Sequence, residues 1–191
     1  MQQQSRTKLP PGQSRTEKWP VLHYGAIPRI DLSTWEFTAT GLVEEPRRWS
    51  WEEFTRLPRT VVRCDIHCVT AWSRFDNTFE GVAATEVLRH VRVRPDAAFV
   101  MVHSFGGYTT NLPLSAVLDD VVFAFTHDGV PLTAEHGGPC RLVVPKLYFW
   151  KSAKWVRGIE LGREDRPGFW EQNGYHMHGD PWREERYSDP W

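Results

Sequence analysis

The chain has 191 residues, 40% of them hydrophobic, and a formal net charge of -1 at pH 7. That length is enough to bury one sizeable core, and the balanced charge gives no overall pull toward nucleic acid or an anionic membrane. Three cysteines without an export signal make no disulfide framework, and no run approaches the roughly 20 apolar residues of a membrane-spanning helix.

Residues 1–18 are polar and basic, with no apolar signal-peptide core and no consecutive arginine pair. They are predicted to be a flexible arm ahead of a single domain over 19–191, in a cytoplasmic protein with reduced thiols. Trp35, Phe37, Ala39 and Gly41 alternate with polar residues, the period of a half-buried strand. SWEEFTRLP reads as a helix with Ser50 as N-cap, Glu53 completing the capping box, and Leu57 and Pro58 closing it. TVVRCDIHCV is a strand that ends where Cys68 and Thr70 begin, and reactive side chains often sit at such ends.

AATEVLRHV is the next predicted helix, AAFVMVHS a buried strand, and FGGYTTNLPL a turn into a polar strand or loop. LSAVLDD is a short helix, VVFAFTHDGVPL a strand entering a turn at Asp128 and Gly129, and CRLVVPKLYFW a strand broken at Pro145. From about 162 to 191 the chain turns polar, aromatic and proline-punctuated, and is predicted to wrap irregularly over the surface. Short strands interleaved with short helices, without regular βαβ spacing, point to a compact α+β domain.

The densest reactive cluster is CDIHC, residues 64–68. A zinc site would need a second ligand pair, and the later candidates are Cys140, His136 and the pair His176 and His178. A disulfide between Cys64 and Cys68 would have to span roughly 13 Å of extended strand unless the chain bends. Cys64 and Cys140 read best as small buried residues. Cys68 differs, because the small and polar run Val69, Thr70, Ala71, Trp72, Ser73 lets backbone approach a bulky ligand.

In EHGGPCRLVVP, Arg141 is either a surface charge after a turn or a guanidinium able to grip phosphate, with glycine backbone beside it. In YFWKSAKW, two lysines among aromatics make either a solvated strand end or an anion-binding wall with stacking surface. Trp150 and Trp155 are the tryptophans best placed to line a pocket. His176 and His178 could share a strand face as a metal pair, although packing within the tail is the favoured reading.

HCVTAWS, RFDNTFEGV, GGYTTNLPL, EHGGPCRLVVPKLYFWKSAKWVRGIEL and DRPGFWEQNGYHMHGDPW resemble the small stand-alone proteins of the sulfite-oxidase-like molybdopterin oxidoreductases. The resemblance covers about residues 19–187. It implies a sulfite-oxidase-type molybdopterin-binding domain, the molybdenum cofactor (Mo-molybdopterin), and Cys68 as the protein's thiolate ligand to the metal. A soft thiolate suits a metal that cycles by two electrons.

The same resemblance implies His136 and Arg141 as cofactor contacts, and Phe149, Trp150, Lys151, Ser152 and Lys154 as contacts to the pterin phosphate and ring. His23, Tyr24 and Ser104 follow from shorter matches. Arg74, six residues after Cys68, falls near the arginine with which sulfite oxidases bind their substrate anion. The intervening pattern differs, and HCVTAWS is closer to the motif of periplasmic methionine-sulfoxide reductases.

The implied activity is oxygen-atom transfer to or from a small sulfur- or nitrogen-containing substrate. Electrons would pass to a separate partner, since no c-type haem motif is present. A monomer or weak homodimer is expected. The alternatives are a non-catalytic molybdopterin-binding or carrier protein and a zinc-stabilised structural domain.

Overall fold

A computed structural model describes residues 8–188. Along β2 (Glu36–Gly41), Phe37 and Ala39 turn inward with Trp35 just before them, so the predicted alternation decides which face is core. β3 (Arg47–Ser50) returns antiparallel and runs into α1 (Trp51–Thr55). This helix is too short to persist alone, and two features hold it. The predicted capping box is present, with Glu53 N donating to Ser50 Oγ at 3.3 Å and Ser50 N donating to Glu53 Oε2 at 2.8 Å. Phe54 is fully buried and stacks on Phe37 at 4.5 Å. Truncating such a ring costs about 3–5 kcal/mol.

Earlier in the chain lies β1 (Ser14–Arg15). After α1 come β4 (Arg59–His67), β5 (Trp72–Ala83), α2 (Ala84–Arg89), β6 (Phe99–Ser104), β7 (Thr109–Pro113) and α3 (Leu114–Val117). They are followed by β8 (Val122–His127), β9 (Val130–Pro131), β10 (Arg141–Val143), β11 (Val156–Gly162) and α4 (Phe169–Gln172). One sheet has five strands in the order β3-β2-β11-β6-β7, with β2 and β11 parallel. The other has six strands around β5, with β4 along one edge, β1 and β8 sharing the other, β10 beyond β8, and β9 paired to β8.

β8 lies between two apolar layers. Phe123 and Phe125 join the main core with Phe37, Val102 and Ile159 from the opposite sheet, while Val122 and Ala124 join a second cluster with Ile66, Phe79 and Val143. A third cluster, of Cys68, Val69, Tyr148 and Trp150, sits at the end of the β4–β5 hairpin.

The predicted helices and most predicted strands are present, in an α+β arrangement. β5, the longest strand at 12 residues, was not foreseen. Nor were β1, β3 and β11. Residues 8–18, expected within a flexible arm, instead run along the domain, with Ser14 and Arg15 pairing parallel to Trp72 and Ser73. Residues 1–7 of that arm lie outside the described residues. His176 and His178 gather around Glu185, with His178 Nδ1 at 2.9 Å from its carboxylate.

Candidate functional site

The β4–β5 hairpin closes through Cys68–Ala71. Cys68 N donates to Trp72 O at 2.8 Å and Ala71 N donates to Cys68 O at 3.1 Å. Ala71 takes φ 72, the left-handed conformation that a three-residue hairpin connection requires at this position. Cys68 is 8% exposed, with Sγ 3.1 Å from Thr70 Oγ1. Burial pushes its thiol pKa up, and the Thr70 hydroxyl and the Arg186 charge pull it back down.

A cleft of about 300 Å³ opens over this turn. Its walls are the segment 19–24, the turn with Trp72, Tyr108, Arg141, most of Phe149–Trp155, and Trp170 and Tyr175. Among the site residues implied by the sequence, His23, Tyr24, Cys68, Arg141, Phe149, Trp150, Ser152 and Lys154 all line it. His23 meets the ring of Trp155 edge-on at 5.6 Å, and Tyr24, 68% exposed, leans on Phe169 at 4.9 Å.

Arg141 opens β10 and is 1% exposed. Nη1 donates to His136 O at 2.7 Å and Nη2 to Ser152 O at 2.8 Å, while the Phe149 ring lies 4.3 Å away. Its Nε has no partner, and no carboxylate pairs with it among the described residues. Burial lowers its pKa to about 9. A cation held only by carbonyls and ring faces favours an incoming anion.

Lys154 stands beside it, lowered to about 7 by burial and then by the Arg141 charge. Gly137, at φ +97, lets Lys154 pack directly on its backbone, since a Cβ there would lie 2.8 Å from Lys154 Cβ. Ser152 Oγ accepts from Val144 N at 2.9 Å, so that side chain fixes the wall while its carbonyl fixes Arg141.

Four implied residues lie elsewhere. Lys151 turns inward, with Nζ 2.7 Å from Glu171 Oε1 and donating to Asn111 Oδ1 at 2.7 Å and Met177 O at 2.6 Å. Its charge is already neutralised, and it does not line the cleft. Arg74 projects to another part of the sheet, pairing with Asp128 at 2.8 Å and bonding Asn77 and His127. Strand β5 thus carries the side chain expected to contact a substrate anion into a separate polar network, and it does not line the cleft.

His136 stands behind the wall, stacked on Trp19 at 3.9 Å, with its pKa lowered to about 4 by burial and then by Arg141. Ser104 is buried at the end of β6 and does not line the cleft. Conversely, Trp19, Thr70, Tyr108, Trp170 and Tyr175 line the cleft without having been singled out for it. Tyr108 Oη donates to Trp150 O at 2.6 Å, and Trp170 stacks on Tyr175 at 4.9 Å.

The zinc alternative lacks a ligand set, since no three His, Cys, Asp or Glu side chains converge on a metal position among the described residues. Cys64 and Cys140 are free thiols pushed up by burial, Cys64 to about 12.

Residues 24–170 match the oxidoreductase molybdopterin binding domain family. The chain belongs to this family. It is 48% identical over 183 residues to the uncharacterized oxidoreductase YuiH of Bacillus subtilis (strain 168), covering 95% of this chain and 92% of that one. It is 28% identical over 192 residues to sulfite oxidase of Arabidopsis thaliana, covering 81% of this chain and 49% of that protein.

Among solved structures, the sulfane dehydrogenase SoxCD from Paracoccus pantotrophus shares the fold with a TM-score of 0.69 at 24% identity, over 74% of this chain and 41% of that one. The chain thus spans about half of the sulfite oxidase. It is a sulfite-oxidase-type molybdopterin-binding oxidoreductase domain whose cofactor is the molybdenum cofactor. The cleft fits that group. Arg141 offers an orphaned buried donor for a phosphate, aromatic faces flank it, and Cys68 is the thiol that lines the cleft. Among the described residues no helix is long and apolar enough to cross a membrane.

Proposed function

We propose that this protein is a two-electron oxidoreductase that moves an oxygen atom onto or off a small sulfur- or nitrogen-containing substrate, with Cys68 as the metal's thiolate ligand. One observation supports it most: a buried thiol and a buried guanidinium without a counter-ion face the same cleft. When bound, the molybdenum cofactor supplies reversible two-electron redox chemistry.

The chain's own residues bind and orient it. Arg141, with its fork fixed by two carbonyls, holds the phosphate in one direction, and Lys154 adds a second charge. Phe149 and Trp155 offer ring faces, and Trp150 with Trp170 and Tyr175 excludes water near the thiol. Thr70 Oγ1, 3.1 Å from Sγ, steadies the sulfur. Lys154 lines the cleft while its Nζ donates to Glu135 O, and with a pKa near 7 it can hold or release a proton there. Electrons pass to a separate partner protein.

Metal analysis of purified protein, with dye-linked turnover on sulfite and a panel of S- and N-oxides, tests this reading. The expected result is molybdenum in the protein and turnover on at least one substrate. A fully loaded protein that turns over none would be a cofactor carrier instead, and zinc in place of molybdenum would contradict the reading.

A further inference from the structure

Residues 11–16 and Arg186, near the two ends of the described residues, converge on the Cys68 turn. From the N-terminal side, Ser14 N donates to Ala71 O and Thr16 N to Ser73 O, each at 2.9 Å. Gln13 Nε2 donates to Cys68 O at 3.0 Å, and Gln13 Oε1 accepts from Ser73 Oγ at 3.1 Å. Ser73 Oγ in turn lies 2.7 Å from His67 Nδ1, in the residue that precedes the cysteine.

From the C-terminal side, Arg186 Nη1 donates to Val69 O. Its Nη2 donates to Pro11 O at 3.2 Å and Gly12 O at 3.3 Å, so a single guanidinium ties the turn to the N-terminal segment. The side chain is 13% exposed and lies 5.2 Å from the Tyr148 ring. Gly12 is at φ +66, and a Cβ there would lie 2.7 Å from Glu184 Oε1 and 3.0 Å from Arg186 Nη2. The tail itself is stitched beside the cleft wall, with His176 N donating to Arg186 O at 3.2 Å and Ser188 N to Gly174 O at 3.0 Å, on either side of Tyr175.

The carbonyls of Cys68, Val69 and Ala71 are thus each held by a donor from one end of the chain. Gln13 and Arg186 both lie outside residues 24–170, the span that matches the family. Left to itself, the turn would keep only its own Ala71 N bond to Cys68 O, leave the carbonyls of Val69 and Ala71 to water, and be free to rock. A ligand displaced by about 1 Å can cost a large part of a site's function.

We infer that residues 8–16 and 180–188 form a brace for the Cys68 turn, with Gln13 and Arg186 as positioning residues that set the direction of the thiol. The inference rests on Cys68 being the metal's ligand. Lysine cannot replace the arginine fully, because three carbonyls are reached by two separate nitrogens of a planar fork.

The test uses the metal-loaded full chain with Arg186→Met, Arg186→Lys and Gln13→Ala, and Arg183→Met as a tail control whose side chain is 72% exposed. Two properties are read: hydrogen exchange at the Cys68 and Ala71 amides, and the sulfur-to-metal charge-transfer absorption.

In Arg186→Met, exchange at those amides should rise roughly tenfold and the band should shift, while strands of the five-stranded sheet keep their protection. Arg186→Lys should restore part of both. Gln13→Ala, which removes one neutral donor, should show a smaller change in the same direction and serves should Arg186→Met fail to fold. Unchanged exchange and an unchanged band in the Arg186→Met and Gln13→Ala variants would overturn the brace. Cys68→Ser, run alongside, should lose the cysteine component of the band. If it keeps that component, the ligand assignment falls and the exchange data still decide the brace.

Discussion

Arg141 and Lys151 stand ten residues apart and are both sealed from water, at 1% and 0% exposure, yet their surroundings answer the charge in opposite ways. Around Lys151 the fold supplies a carboxylate, an amide oxygen and backbone carbonyls, so the cation is neutralised from within. Around Arg141 it supplies two carbonyls and two ring faces, and one donor stays unmet. A buried charge with its counter-ion is structure, and a buried charge without one is a place prepared for an anion.

Breaking the Lys151 side should have the largest effect on stability. Lys151→Met leaves the Glu171 carboxylate buried with only the Trp150 and Thr110 donors, and is expected to lose about 3–5 kcal/mol in urea unfolding. A loss below about 1 kcal/mol would mean that the pair is not what holds this region. Arg141→Met should cost only about 1–2 kcal/mol, for two carbonyls that lose their donor. Its main effect should appear as cofactor occupancy after gel filtration, reduced about tenfold or more. Wild-type occupancy in that variant would remove Arg141 from the phosphate site.

A smaller effect should come from Lys154. With its pKa near 7, its ammonium is charged below that pH and neutral above it, so anion affinity should be highest on the acid side. An anion would raise that pKa, and binding should therefore take up a proton. Sulfate titrated against cofactor-free protein by tryptophan fluorescence should bind about three- to tenfold more weakly at pH 8 than at pH 6. His127 and His136, both lowered to about 4, stay neutral across this window. Lys154→Met should flatten the dependence, and a slope that survives in that variant would assign it to another group.

The distinction between the two cations was not legible in the sequence. Spacing alone groups Lys151 and Lys154 on one wall, which holds only if the chain between them keeps a helical path. Instead a 3-10 turn ends at Lys151, Ser152 turns the chain at φ -88 and ψ 75, and Trp155 takes φ 54, so the two ammoniums leave on different sides. The counter-ion of Lys151 comes from Glu171, in a segment whose polar character gave no sign of burial.

Local signals fared better. The Ser50 capping box and the inward Trp35, Phe37 and Ala39 are written within a few residues of one another. β5 escaped notice because Arg74, Asn77 and Glu80 interrupt its apolar pattern, and their partners, Asp128, His127 and Arg59, are distant in the chain. The same distant partners draw Arg74 into the network beside β5. Cys68 and Arg141 could be chosen from sequence through the family resemblance, whereas Gln13 and Arg186 belong to ends that looked like an arm and a tail.

Cys64→Ser and Cys140→Ser should be the mildest changes at the metal. The added hydroxyls should cost stability, about 1–3 kcal/mol, and leave metal content untouched.

The proposed chemistry turns on which cysteine sulfur reaches the metal. The most direct measurement is the sulfur-to-metal charge-transfer absorption, with metal content and turnover, compared across Cys64→Ser, Cys68→Ser and Cys140→Ser. The account predicts that Cys68→Ser alone loses the cysteine component of the absorption and the activity while the pterin, with its own sulfurs, stays largely bound through Arg141 and Lys154. A Cys68→Ser protein with wild-type absorption and activity, beside a Cys64→Ser protein that has lost both, would contradict it.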